Sequence, residues 1–251
     1  MDKNLKVPYV DAHCHVYNIS PERLRKIKDM VIVGVSEDLE TSKIVIKLAK
    51  EIPSIIPMVG IHPWLVKKTS YKELQEVVAM ISEARGFGEI GLDGKVGGKE
   101  KQMDFLERFL EVAEEYNVPI NLHARASWRE VVGLVLKYNI KKAIFHWYSG
   151  PTELLRDMEA NGYYITINPS VIFQNKHLRV LEKAPMSMIL TESDGPYQYR
   201  GKFLTPADIP NLVRFISRIK NVPPKIVRKT VYENIKNIFG MDLFHSGEFS
   251  A

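Results

Sequence analysis

Short runs of Val, Ile and Phe alternate along the chain with longer stretches whose apolar positions recur every three or four residues. Such alternation predicts repeated β/α units around a parallel sheet. The apolar runs predict strands over Val7–His13, Met30–Val35, Ile55–Ile61, Phe87–Leu92, Pro119–His123, Ala143–His146, Tyr163–Asn168 and Met188–Glu192. Between them, Ser70–Ala84 sets Leu74, Val77, Val78 and Ile81 on one helical face, and Glu100–Asn117 does the same with Met103, Leu106, Leu110 and Ala113. Leu204–Lys220 and Pro223–Phe239 predict two further helices, with the break between them at Pro223 and Pro224.

Eight such units within 251 residues fit an α/β fold, a single (β/α)8 TIM barrel with extra C-terminal helices. The expectation is one domain over 1–251 with an ordered core at about 5–240 and a poorly anchored tail after Gly240. At 45% hydrophobic and 26% charged the chain carries ample material for a large core, which excludes a disordered protein. Cys14 is the only cysteine, so no intramolecular disulfide forms. The opening MDKNLKVPYVDAHCH lacks the order of a signal peptide and no apolar run reaches membrane-span length. The expected setting is therefore cytoplasmic, without membrane contact, and no segment marks an obligate protein partner. The formal charge of +5 suits an anionic substrate and equally a lysine-rich solvated surface.

Chemistry concentrates at the strand ends. Five of the seven histidines lie at or just after the C-terminal ends of predicted strands, the face on which TIM barrels carry their sites. His13 and His15, two residues apart, share a strand face while Cys14 points away as a small buried filler. Asp11 has the same parity, Glu89 falls inside the fourth strand with Asp93 at its end, and the eighth ends in Glu192, Ser193 and Asp194. Acids buried beside apolar barrel layers are costly unless a cation or hydrogen bonds compensate them. Four histidines and two carboxylates exceed what one catalytic zinc takes, so two divalent ions fit better. The arrangement suggests one ion on His13, His15 and Asp194, another on His123 and His146, and Glu89 bridging both. The mixed donors favour Zn, Mn, Fe or similar ions over an all-oxygen Mg site without choosing among them.

Taken in order, Asp11-Ala-His-Cys-His15, Gly60-Ile-His-Pro63, Gly88-Glu-Ile-Gly-Leu-Asp93, Leu122-His-Ala-Arg125, His146-Trp-Tyr-Ser-Gly150 and Glu192-Ser-Asp-Gly-Pro196 resemble the six signatures of the TatD family of metal-dependent deoxyribonucleases, amidohydrolase-type TIM barrels. Glu233-Asn234 and Phe239-Gly240 are similar to its closing helix. The resemblance implies a divalent-metal hydrolase acting on phosphodiester bonds, with nucleic acid as substrate. Departures from the family pattern at Gly94, at Ala126-Ser127-Trp128 and over 202–206 fall in loops expected to contact substrate rather than metal.

In the mechanism so implied, two ions share a water and lower its pKa. Asp194 orients that water and accepts its proton, which makes Asp194 and Glu89 the catalytic pair. His62, after the third strand, is open to two readings, a phosphate contact or a structural histidine. Arg125 could clamp a phosphate or pair with Glu192 or a neighbouring acid. Asp11 and Glu192 are expected behind the ligands, orienting histidines. Trp147, Tyr148 and Trp128 could stack bases, although core or rim packing is the commoner fate of such rings. His177 and His245 lack a strand-end position and are expected to face solvent. Two alternatives remain: an amidase, lactonase or deacylase on the same barrel, and a non-catalytic binding protein. The charge and Arg125 favour phosphate over the former, and the complete ligand set argues against the latter.

Overall fold

The computed structural model describes residues 7–240. The strands are β1 Tyr9–Cys14, β2 Met30–Gly34, β3 Ile55–Pro57, β4 Phe87–Gly91, β5 Ile120–His123, β6 Ala143–Phe145, β7 Tyr164–Ile167 and β8 Ile189–Thr191. Every one overlaps a predicted run; β1 extends one residue past its predicted end, and the other displaced ends fall one to four residues short, where the ladder stops before the apolar run does. All pair in parallel, as β1-β2-β3 and β4-β5-β6-β7-β8, with Asp11 opposite Ile32, Gly91 opposite His123 and Thr166 opposite Leu190. Two seams join these sheets into the (β/α)8 barrel. At one, Gly88 N–H donates to Val59 O at 2.8 Å and Val59 N–H to Gly86 O at 3.1 Å. At the other, Thr191 Oγ1 donates to Val10 O and Asp194 N–H to His13 O at 3.0 Å.

The Val/Ile-rich strands are buried along nearly their whole length because helices cover the sheet from outside. The helices are α1 Pro21–Lys26, α2 Leu39–Glu51, α3 Tyr71–Ala79, α4 Lys99–Tyr116, α5 Trp128–Lys137, α6 Leu154–Ala160, α7 Asn175–Lys183, α8 Ile209–Lys220 and α9 Pro224–Phe239. Their starts follow local chemistry. Asp38 caps α2 by accepting from Thr41 N–H at 2.8 Å, and Ser70 and Glu73 form a reciprocal capping box on α3. The last helix packs on β1 and β8, where Asn234 Nδ2 donates to Met186 O and Ile189 O at 3.0 and 2.9 Å.

The predicted helix at Leu204–Lys220 begins later, at Ile209. Residues 197–204 instead form an antiparallel hairpin of β9 Tyr197–Tyr199 and β10 Lys202–Leu204, turned by Arg200 and Gly201, both at positive φ. Such a short pairing has too few alternating apolar positions to stand out in sequence. His245 lies outside the described residues. Among the described residues no helix is long and apolar enough to cross a membrane.

Candidate metal centre

All six side chains read from sequence as ligands converge at the C-terminal end of the barrel. Glu89, on β4, is their hub. Its Oε1 lies 2.7 Å from His123 Nδ1, 3.0 Å from His146 Nε2 and 3.2 Å from His62 Nε2. Its Oε2 faces His13 Nε2 at 3.5 Å and His15 Nε2 at 3.7 Å. Asp194, in the left-handed region at φ 55°, closes the other side, with Oδ1 3.2 Å from His15 Nε2 and 3.4 Å from His13 Nε2. The close approach of β4 to β5 depends on Gly91, at φ 145°, where a Cβ would collide with the His123 carbonyl.

Potential ligand atoms fall into overlapping sets lying within 4.8 Å of one another: His13, His15 and Asp194; His13, Glu89 and His146; His62, Glu89 and His123; His15, Glu37 and Glu89. The first is the grouping suggested for one ion. The suggested second pair also meets, His123 Nδ1 and His146 Nε2 lying 3.2 Å apart on Glu89 Oε1, while His123 groups further with His62 and the His146 ring stacks on His13 at 4.1 Å.

What each imidazole can offer follows from the partner behind it. Asn121 Nδ2 donates to Ala12 O at 2.9 Å, which turns its Oδ1 toward His13 Nδ1 at 2.8 Å. His13 donates there, so in the neutral ring Nε2 carries the lone pair and faces the carboxylates, and that nitrogen is buried without a hydrogen-bond partner. His123 turns Nε2 to Asp93 Oδ2 at 3.4 Å, and His146 turns Nδ1 to Glu192 Oε2 at 3.7 Å, an ion-pair separation. With Nε2 directed at Asp93, the neutral His123 ring presents the Nδ1 lone pair inward, whereas His146 Nδ1 makes no hydrogen bond that fixes its tautomer. His62 is reversed: its Nδ1 accepts from Trp64 N–H at 3.1 Å, so Nε2 carries the proton and donates toward Glu89.

The charges tell the same story. Burial would lift the Glu89 carboxyl, yet His62, His146 and His13 hold it well below the ordinary carboxylate range. Burial likewise opposes ionisation of Asp194, and the facing imidazoles of His13 and His15 keep it low. Burial disfavours charge on His13, His123 and His146, but Glu89, with Asp194, Asp93 and Glu192 respectively, drives all three upward, His146 to about 9. Burial lowers His62 instead. Among the described residues no lysine or arginine pairs with Glu89 or Asp194. Protons on buried imidazoles therefore supply positive charge that a divalent cation would supply in their place. The orphaned His13 Nε2, inward lone pairs and two-sided carboxylate fit such ions.

The surrounding positions differ in part from expectation. Glu192 stands behind His146 and also accepts from Thr166 Oγ1 at 2.6 Å. Asp11 binds backbone rather than an imidazole, accepting from Ser193 N–H at 2.8 Å, and burial raises its carboxyl to about 7. Cys14 is buried, its thiol directed at Gly195 O. Arg125 lies past the end of β5 rather than on it; its guanidinium is 57% exposed in the cleft, 3.6 Å from Asp93 Oδ2. Trp128 and Trp147 line the cleft. Tyr148 does not: it is buried and donates to Pro151 O, which removes it as a stacking ring. His177 is also buried, contrary to the solvent-facing expectation, because two backbone groups satisfy its ring.

The cleft encloses about 970 Å³ and contains features that sequence reasoning missed. Trp64 donates to Asp93 Oδ2 at 2.6 Å while its ring stays exposed. Tyr17 OH lies 3.1 Å from His15 Nδ1. Tyr197 and Tyr199 enter from the hairpin, and Lys95, Lys176 and Arg179 join Arg125 as cations on the lining. Trp64 directly follows the Gly60–Pro63 motif, a signal that could have found it; the others have none.

The model of a family described as TatD related DNase matches residues 10–240. The chain is 30% identical over 247 residues to an uncharacterized metal-dependent hydrolase of Methanocaldococcus jannaschii, covering 93% of this chain and 97% of that one. It is 23% identical over 263 residues to the human deoxyribonuclease TATDN3, covering 93% and 95%. Among solved structures, the TatD homolog YjjV of Escherichia coli matches with a TM-score of 0.85 at 20% identity, over 93% of this chain and 98% of that one. A dihydroorotase from Campylobacter jejuni matches with a TM-score of 0.60 at 14% identity, over 93% and 83%. At such identities these two similarities are of fold.

Proposed function

The chain belongs to the TatD family of metal-dependent hydrolases, and on that premise we propose that it is a nuclease, removing nucleotides from DNA or RNA ends by hydrolysis of phosphodiester bonds. One observation carries this reading: a single cleft holds the carboxylate-centred imidazole cluster together with Arg125, Lys95, Lys176 and Arg179. Cations beside a hydrolytic centre suit a substrate that brings negative charge on both sides of the bond to be cut.

His13, His15 and Asp194 would hold one divalent ion, His123 and His146 a second, and Glu89 would serve both. Zn, Mn, Mg or a similar ion bound there supplies Lewis acidity and lowers the pKa of water. The protein's own groups do the remainder. Asp194 orients the attacking water and accepts its proton. Arg125, exposed in the cleft, is free to close its planar fork on a phosphate. His62, with its proton on Nε2, donates to a phosphate oxygen rather than binding metal. Asp93 and Glu192 support His123 and His146 from behind.

The test strips the protein with a chelator, restores Mn, Mg, Zn or Co singly, and follows end-labelled single-stranded DNA and RNA beside an ester and an amide, with Asp194→Asn as control. Metal-restored degradation of nucleic acid, absent in Asp194→Asn of unchanged fold, is the expected result. Cleavage of the ester or amide alone would refute the nuclease reading and leave the hydrolase.

A further inference from the structure

The ligand cluster does not account for the aromatic wall beside it. On β9, Tyr197 and Tyr199 share a face of the hairpin because residues two apart on a strand point the same way. Tyr199 stacks on Phe173, with centroids 5.9 Å apart and planes 18° apart, and Trp147 meets Tyr199 at 5.1 Å and Tyr197 at 6.1 Å, edge to face. These rings are not core: Tyr197 is 39% and Phe173 37% exposed. Trp147, Tyr197 and Tyr199 all line the cleft.

The wall is tied covalently to the centre. Trp147 follows His146, and Tyr197 is the third residue after Asp194. Trp147 sits at φ 42°, held there by its N–H donating to Thr166 Oγ1 at 2.7 Å, and the same hydroxyl donates to Glu192. Its aromatic face is thus held at a fixed offset from His146. Cations accompany the rings. Lys176 and Arg179, three residues apart on α7, line the same cleft, and Arg200 lies 5.5 Å over the Tyr199 ring. Exposed aromatic faces interleaved with cations form the combination that binds unpaired bases and their phosphates, because every base offers a π-face.

We propose that Tyr197, Tyr199 and Trp147 form a stacking subsite for an unpaired nucleobase next to the scissile phosphodiester, with Lys176 and Arg179 on the adjoining phosphate. The subsite rests on the nuclease reading. It takes an unpaired nucleotide because a base within a duplex has both faces already covered by its neighbours. Phe203 provides an internal control: although it falls in the 202–206 stretch expected to contact substrate, it does not line the cleft, being 61% exposed on the same hairpin and paired with Gln198 on the ribbon face opposite Tyr197 and Tyr199.

The experiment uses metal-loaded protein on a single-stranded oligonucleotide and on the same strand with abasic residues at both ends, comparing wild type, Tyr199→Ala, Tyr199→Phe and Phe203→Ala. Affinity for both strands is also measured by fluorescence anisotropy with chelator present. Tyr199→Ala is expected to weaken binding and kcat/KM on the base-bearing strand roughly tenfold to a hundredfold, mainly through KM, and to change little on the abasic one. Tyr199→Phe should keep most of the loss at bay, and Phe203→Ala should match wild type. If wild type cuts the strand but Tyr199→Ala is unimpaired, or loses equally on both strands, the subsite is wrong and the nuclease stands. If wild type neither binds nor cuts either strand, the nuclease reading falls and the subsite falls with it.

Discussion

Asn121 fixes the protonation pattern of His13. Its amide is oriented by Ala12 O, so its oxygen accepts from His13 Nδ1 at 2.8 Å, and in the neutral ring the opposite nitrogen presents its lone pair to the cluster. In Asn121→Ala the ring can turn and take the other tautomer. Groups in this position behind a metal-binding histidine are worth about 10- to 100-fold in metal affinity. Chelator competition with Zn or Mn should show a loss of that size with the circular dichroism spectrum unchanged; wild-type affinity would remove the role assigned to Asn121.

His62 and His123 both point a nitrogen at Glu89 Oε1, at 3.2 and 2.7 Å, yet only His123 has its far nitrogen on an acceptor. Two variants separate them. His123→Ala should lower the bound metal per chain measured by inductively coupled plasma spectrometry. His62→Ala should keep the metal and lose about tenfold or more in kcat/KM on a phosphodiester, the order of loss for a neutral donor to a charged oxygen. Metal loss in His62→Ala equal to that in His123→Ala would make His62 a ligand.

This distinction marks the boundary of what sequence can reveal. Period-two spacing placed His13 and His15 together, and strand ends placed Glu89, His123, His146 and Asp194 on one face, so their convergence was legible before any coordinates. The tautomer of His62 was not, since it depends on the backbone N–H of Trp64. Asn121 was equally hidden: inside a strand it reads as one polar residue in an apolar run, and only the neighbouring β1 gives it a partner. The hairpin at 197–204 gave no strand signal because its strands have only three residues each, and the predicted helix began on its last residue, Leu204. His177 was misplaced for a similar reason, its partners being backbone atoms of the segments that follow β6 and β7.

Metal removal should cost stability as well as activity. The cluster places carboxylates and lone pairs face to face within 3.5 Å of His13 Nε2, an arrangement completed only by positive charge. An ion that binds the folded chain alone stabilises it by about 2.7 kcal/mol at one hundred times its dissociation constant. For a protein of this size that corresponds to a rise of roughly 5–10 °C in Tm. Calorimetry of chelated protein titrated with Zn or Mn should show it. A Tm independent of metal at concentrations that restore activity would contradict it.

His177 makes the fold itself sensitive to acid. Buried, it accepts from Asn168 N–H at 3.0 Å through Nε2 and donates to Tyr148 O at 2.8 Å through Nδ1, so it must be neutral. Burial brings it from an ordinary 6.5 down to about 4. Between those values the unfolded chain takes up the proton and the folded chain does not. The stability His177 contributes is therefore present above pH 6.5 and is lost as pH falls through about 4, ~3 kcal/mol across the window. His13, His123 and His146, raised rather than lowered, tilt the metal-free protein the opposite way, so the comparison must be with His177→Gln, which keeps a donor and an acceptor but does not titrate. Urea unfolding of both metal-free proteins at pH 7, 6, 5 and 4.5 should show the wild type losing stability relative to the variant as pH falls. Parallel curves would mean that the folded protein protonates His177 as readily as the unfolded chain does, and the bond from Asn168 N–H would then be too weak to hold the ring neutral.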